Sequence, residues 1–485
     1  MDYQSFLQAK SQIGHNSGFE PNFLPPFLFD FQRHLVEWAV QKGRAAIFAY
    51  PGLGKTPMLL CWATNVVRHT NKPVLVLAPL PVCPQTLREA DKFGIQATRS
   101  QDGKHRSGII VSNYERLHLF DPSDFSGVVC DEPILKNFTG TIRKRITRFM
   151  SKLPYRLLCT ATPSPNDYIE LGNCSEALGE LSYSEMLRRF FQQLDDKGQK
   201  RENRLQEDAE AIIASDPSYF QKLAYRVAQT IGQWRLKHHA IAHFWRWVAS
   251  WAKLCRKPSD LGSFDDEPYR LPELREHTRI ITPKSPPPGM LFNLPAFGMH
   301  EERQERRRTL TERTEFVSGL VKHDRPAAIW CHMNDEADRL EEVIPDASQI
   351  AGRTPENRKL ELYEAFANGS LRVLIIKPKL GAWGLNWQHC NHVVTFVSHS
   401  WEQHYQLIHR CWRFGQTMPV DLDIVATEGE LRVLGNLKRK ADRAEKMFDS
   451  VVREANNATR IERGHDYVNS MEVPAWLLQS SNGSV

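Results

Sequence analysis

Short apolar runs alternate with longer amphipathic stretches from Leu28 to about residue 173. Ala45–Ala49, Val74–Ala78, Gly108–Val111, Gly127–Cys130 and Arg156–Cys159 are short and almost wholly apolar. A strand that is apolar on both faces belongs inside a parallel sheet covered by helices on both sides. Between these runs, Leu28–Trp38 and the segment opening at Lys55 carry apolar residues at helical spacing. The alternation returns at Ala327–Cys331, Arg372–Ile376, His392–Phe396 and Leu422–Thr427. Two α/β lobes are therefore expected.

The pattern divides the chain further. Residues 1–25 contain Pro21 and Pro25 and read as a loose lead-in. The first lobe is expected over 26–173, a mainly helical insertion over 174–300 with a Pro-rich strand-like stretch around Ile280-Ile281-Thr282-Pro283, the second lobe over 301–430, and a charged helical tail over 431–485. In the insertion, Ile241, Phe244, Trp245, Val248, Trp251 and Ala252 fall on one helical face. Such a stripe is more often core packing than a platform for stacked bases. Arg235, Lys237, Arg246, Lys253, Arg256 and Lys257 lie near it and either track a phosphate backbone or form a solvated face.

Composition narrows the class only modestly. The chain has 485 residues, is 41% hydrophobic and 25% charged, and carries a formal charge of +6, which permits a polyanionic partner without requiring one. No apolar run approaches the ~20 residues of a membrane span, and Met1–Glu20 lacks a basic-then-apolar export layout. The nine cysteines form no Cys-x-x-Cys pair, which fits a reducing cytoplasm better than a zinc ribbon or a disulfide framework. A cytoplasmic protein with no membrane partner is expected.

The chemistry starts where the run Ala45–Ala49 meets Tyr50-Pro51-Gly52-Leu53-Gly54-Lys55-Thr56. Gly52 and Gly54 let backbone N–H groups turn toward an anion, and the following helix adds its positive end. Lys55 can reach outer phosphates, and the Thr56 hydroxyl suits a Mg²⁺ ligand. By itself this loop implies only a held phosphate. Gln32, just upstream, offers a planar amide that can pair with an adenine edge. Asp131-Glu132 closes a buried strand: Asp131 can hold Mg²⁺ through water, and Glu132 can orient and deprotonate the attacking water. The second half contains no phosphate loop of its own. It offers Gln406, Arg410 and Arg413, which on a helix would project to one side at i, i+4 and i+7. Arginine's fixed charge and planar donor fork suit a γ-phosphate approached from across a cleft.

In this order the motifs resemble superfamily 2 helicases, most closely the Swi/Snf-type branch of DNA translocases. Gln32 is similar to the adenine-reading Q motif. Ala49–Thr56 matches motif I, with Ala49 where the general phosphate-loop pattern has Gly, and Pro79-Leu80 matches the segment after it. Asp131-Glu132 matches motif II, and Thr160-Ala161-Thr162-Pro163 matches motif III. Gly381–Asn386 resembles motif V, with Ala382 in place of Gly, and Gln406–Gln416 fits motif VI at every named position. The resemblance covers roughly 30–170 and 325–430. It implies two RecA-like lobes with a helical insertion, and ATP and Mg²⁺ as cofactors. It also implies double-stranded DNA as the track of a translocase, and Gly384 at the nucleotide. Thr160 and Thr162 would couple hydrolysis to movement, and Asn113 and Lys379 would contact nucleic acid. The compact form resembles helicases of bacteriophages and prophages, implying a bacterial host or phage-infected cell, and a monomer is expected. One departure bears on mechanism. Pro133-Ile134-Leu135-Lys136-Asn137 lacks the His that follows motif II in relatives and helps couple hydrolysis to DNA contact. A strand-separating DNA or RNA helicase and a slow ATP-switched binding clamp remain open beside the translocase. A metabolic phosphate-loop enzyme would need neither the second lobe nor the arginines.

Overall fold

The computed structural model describes residues 16–105, 107–133, 135, 141–163, 168–193, 234–286, 299–381 and 385–464. The strands, in chain order, begin with β1 (Arg44–Ala49), β2 (Val74–Ala78), β3 (Ala97–Arg99), β4 (Ile109–Asn113), β5 (Gly127–Asp131) and β6 (Tyr155–Thr160). They continue with β7 (Phe191–Gln193), β8 (Trp234–Leu236), β9 (Ala252–Cys255), β10 (Leu274–Ile281) and β11 (Ala327–Trp330). Last come β12 (Ala347–Ile350), β13 (Val373–Ile376), β14 (His392–Phe396) and β15 (Val420–Thr427). Seven of them form one sheet in the order β3-β4-β2-β5-β6-β1-β9, and six form a second, β10-β15-β14-β11-β13-β12. Every pairing within these two sheets is parallel. Helices cover both faces, giving two RecA-like lobes. The central strands β1, β2, β4, β5 and β6 are buried along nearly their whole length, as their apolar composition requires.

The region 174–300 departs from the expected helical insertion. It contains helices at Tyr183–Phe190 and Ile241–Trp251, but it also supplies an edge strand to each sheet, β9 to the first and β10 to the second. The helical pattern runs into Ala252, yet the chain turns extended there, with φ −130° and ψ 139°, and pairs Ala252 with Ala46. β10 alternates half-buried and exposed residues and pairs with β15 throughout, so its polar sequence reflects an edge with one wet face. The aromatic stripe packs inward: Phe244, Trp245, Val248 and Trp251 are buried in the first lobe's core. Its basic neighbours largely bind this chain. Arg256 pairs with Asp449 at 2.6 Å, Lys257 pairs with Asp266 at 3.0 Å, and Lys237 donates to the Arg188 and Arg189 carbonyls.

The charged segment 301–321 forms two helices, Met299–Arg308 and Leu310–Leu320. The last helix, Leu431–Gly464, leaves the second lobe and returns to the first, where Val452 joins the core around Trp247 and Trp251. Among the described residues no helix is long and apolar enough to cross a membrane. All nine cysteines are buried thiols.

Candidate nucleotide cleft

Parallel sheets present their ligands at the carboxyl ends of their strands, and there the first lobe gathers its chemistry. β1 runs into the glycine loop, which folds left-handed at Gly52 (φ 91°) and Gly54 (φ 75°) before the helix Lys55–Thr70 begins. Glycine is needed at Gly52 for space as well, since a Cβ there would come within 2.6 Å of the Phe414 backbone nitrogen. At Gly54 a Cβ would strike the Gln32 amide. Gln32 is buried and fixed at both ends. Its Oε1 accepts from the Phe29 N–H at 3.2 Å, and its Nε2 donates to the Leu53 carbonyl at 3.0 Å. It thereby ties its own helix start to the phosphate loop.

Lys55 donates to the Ala49 carbonyl at 3.0 Å and lies 3.7 Å from Glu132. Burial lowers its pKa; Glu132 and Asp131 oppose that shift, while Arg413 and Arg410 add to it. Thr56 is the half-buried second residue of the same helix. β5 delivers Asp131, and the chain then turns left-handed at Glu132 (φ 47°), a conformation a non-glycine residue adopts at a cost of about 1–3 kcal/mol. That turn lets Glu132 accept from the Thr160 hydroxyl at 2.6 Å and from the Ala161 N–H at 3.3 Å. Asp131 is pushed up to about 7, first by burial and then by the neighbouring Glu132 charge.

Within the first lobe two buried acids face one lysine, and the Asp131 carboxylate and the Thr56 hydroxyl are oxygen donors of the kind Mg²⁺ takes. The positive side of the cleft fits an anion equally well. The Arg413 Nε is buried without a partner among the described residues.

The second lobe meets this site through Gln406, Arg410 and Arg413, though not as one helical face. The helix Trp401–Ile408 stops at His409, and both arginines lie in the turn after it. The stop has a local cause. Arg410 folds back to donate Nε to the Gln406 carbonyl at 2.9 Å and Nη2 to the Gln406 Oε1 at 2.7 Å, capping its own helix. Arg410 and Arg413 also donate Nη1 to the Leu385 carbonyl, at 3.2 and 3.0 Å. Burial and the adjacent Arg413 lower Arg410 to about 9. Gln406 reaches the Thr162 hydroxyl at 3.5 Å, and that hydroxyl donates to Glu402 at 3.4 Å. Thr162 N–H donates to the Thr160 Oγ1 at 3.1 Å. A polar line therefore runs Lys55, Glu132, Thr160, Thr162, Gln406, from one lobe to the other.

One contact had no sequence signal. The Tyr50 hydroxyl lies 3.1 Å from the His409 Nε2, while the His409 Nδ1 faces the Trp412 carbonyl at 3.0 Å. A carbonyl only accepts, so the proton sits on Nδ1 and Tyr50 donates to Nε2. Burial lowers His409 to about 3, which keeps the ring neutral in this role. The remaining expected residues scatter. Asn113 is buried and donates to Glu115, and Lys379 is exposed on the short helix Pro378–Gly381. Gly384 lies outside the described residues.

Two RecA-like lobes thus meet beside the glycine loop that precedes Lys55. Residues 311–415 match the family model described as the helicase conserved C-terminal domain, a span that includes Gln406, Arg410 and Arg413. The second lobe is thus similar to the C-terminal lobe of helicases. No curated protein matches the chain.

Proposed function

We propose that the chain is an ATP-dependent nucleic-acid motor, a translocase on double-stranded DNA. The observation that carries this reading is the polar line from Lys55 through Glu132, Thr160 and Thr162 to Gln406. A simple nucleotide-binding domain has no use for a connection between its phosphate loop and a second lobe.

In this reading Lys55 holds the outer phosphates, and Gln32 holds both the loop and the adenine edge. Asp131 and Thr56 hold Mg²⁺, which when bound neutralises charge on the phosphates and on the acid pair. Glu132, with its carboxylate fixed by the Thr160 hydroxyl and the Ala161 N–H, takes the proton of the attacking water. Arg410 and Arg413 bring permanent positive charge from the far lobe to the γ-phosphate, and the unpartnered Arg413 Nε is a donor available for charge that develops there. Thr160 shifts when Glu132 changes charge, and Thr162 passes that shift to Gln406 and Glu402. Opening and closing of the lobes then moves them along a backbone.

Duplex DNA is expected to stimulate ATP hydrolysis, and Lys55→Ala to lower the stimulated rate by on the order of 10²–10³. Turnover indifferent to every nucleic acid would remove the motor reading. Triplex displacement without duplex unwinding supports translocation, whereas unwinding of a forked duplex would reassign the chain as a strand-separating helicase.

A further inference from the structure

The lobes also touch far from the phosphate loop, through a helix whose Glu356 and Glu364 meet first-lobe arginines. Arg99 ends β3, and Arg116 lies in the turn Tyr114–Leu119 after β4. Both reach across to Glu356, the first residue of the second-lobe helix Glu356–Ala367. Glu356 gives one oxygen to each, Oε1 to Arg99 and Oε2 to Arg116, both at 3.4 Å. Two turns along the same helix, Glu364 pairs with Arg88 at 2.9 Å. The Arg116 Nη1 is buried without a partner among the described residues, so its guanidinium has donor capacity that Glu356 does not use.

We propose that Arg99 and Arg116 form a seat for a backbone phosphate of duplex nucleic acid, and that the Glu356 carboxylate covers it as an internal competitor. The proposal rests on the motor reading above. A carboxylate and a phosphate present the same paired oxygens to a guanidinium fork, so each can take the other's place. The ligand is not the nucleotide of the cleft. In the first sheet β4 and β3 lie four and five strands from β1, about 19 and 24 Å away at about 4.8 Å per strand.

The cover is built to be displaced. Charge-assisted pairs in a committed site lie near 2.7–2.9 Å; these lie at 3.4 Å, and 38% of the Glu356 side chain is exposed. Pairs of that kind hold a closed state by no more than about fivefold. A polyanion that also releases its counterions exceeds that easily at low salt.

The test measures binding of a fluorescein-labelled DNA duplex by anisotropy over a salt series, with thermal unfolding as a check on folding. Glu356→Gln is expected to tighten binding, by up to about fivefold. The double variant Arg99→Ala/Arg116→Ala is expected to weaken it and to flatten the salt slope by about two. Glu361→Gln makes the same charge change at an exposed position on this helix, where Glu361 pairs with Arg358, and is expected to leave affinity unchanged within about twofold. If these side chains serve only to hold the lobes together, Glu356→Gln and the arginine variant both break the latch and shift affinity in the same direction. That result, or a Glu361→Gln effect equal to that of Glu356→Gln, overturns the proposal while duplex-stimulated hydrolysis by the unaltered chain leaves the motor reading standing. Failure of the unaltered chain both to bind duplex and to respond to it removes the two readings together.

Discussion

Asp131, the last residue of β5 in the first lobe, and Glu336, in the helix Asn334–Val343 of the second, are both buried carboxylates, and they shift in opposite directions. Burial raises Asp131, and Glu132 beside it raises it further, to about 7. Burial also works to raise Glu336, but Arg313, His332 and the Met333 N–H outweigh it and bring Glu336 below its ordinary value. The reason is geometric. Glu336 accepts from Arg313 at 2.6 Å and from the His332 and Met333 N–H groups at 2.8 and 3.0 Å. Arg313, itself fully buried, also donates to Thr309 at 3.1 Å and to the Arg306 carbonyl. The buried charge of Glu336 is closed within the second lobe. That of Asp131 in the first is left for something else to complete, which is what a ligand site requires and a core does not.

This contrast can be broken from either side. The largest expected effect lies where the second lobe's charge is not internal. Arg410→Ala is expected to slow single-turnover ATP hydrolysis by about 10³–10⁵ while nucleotide binding persists. A loss below about tenfold would show that this arginine only caps its helix. Next comes the closed network. Arg313→Ala leaves Glu336 buried and uncompensated and should cost about 3–5 kcal/mol of stability, read from urea unfolding, with or without nucleotide. A cost below about 1 kcal/mol would mean that water or a neighbour relieves Glu336 readily.

Asp131→Asn should do the reverse. Because the folded-state pKa of Asp131 lies above its unfolded value, the folded chain binds an extra proton between about pH 4 and 7. Its stability therefore falls as pH rises through that window, with a limiting slope of about 1.4 kcal/mol per pH step of one. Without divalent cation, the Asn variant should melt higher than the unaltered chain at about pH 8, with the advantage fading toward about pH 4. Added Mg²⁺ should raise the melting temperature of the unaltered chain more than that of the variant. Parallel melting curves at all pH values would contradict the first-lobe half of the comparison.

Much of the site was legible in contiguous sequence. The turn at Gly52-Leu53-Gly54, the acids at the end of β5 and the threonines at the end of β6 each stand out through a few adjacent residues. The arginines were legible as residues but misplaced as a helical face, because the side chain of Arg410 caps the helix that spacing alone would extend. The edge strands were harder. β12 is short, β9 continues a helical pattern, and β10 is polar on one face, so that only its end at Ile280-Ile281 reads as strand-like; each gains its full length by pairing with a partner distant in sequence. Nothing local announces Tyr50 to His409, or Glu356 between Arg99 and Arg116, since each joins residues more than two hundred positions apart.

The sequence by itself thus determined the two lobes, the phosphate loop and the inventory of charged groups, because strand burial and loop geometry follow from neighbouring residues. The tertiary structure alone decided which charges are neutralised. Glu336 meets Arg313 and is spent on stability, whereas Asp131 meets Glu132 and stays raised. Whether a buried acid serves the core or a ligand depends on what the rest of the chain brings to within hydrogen-bond distance of it.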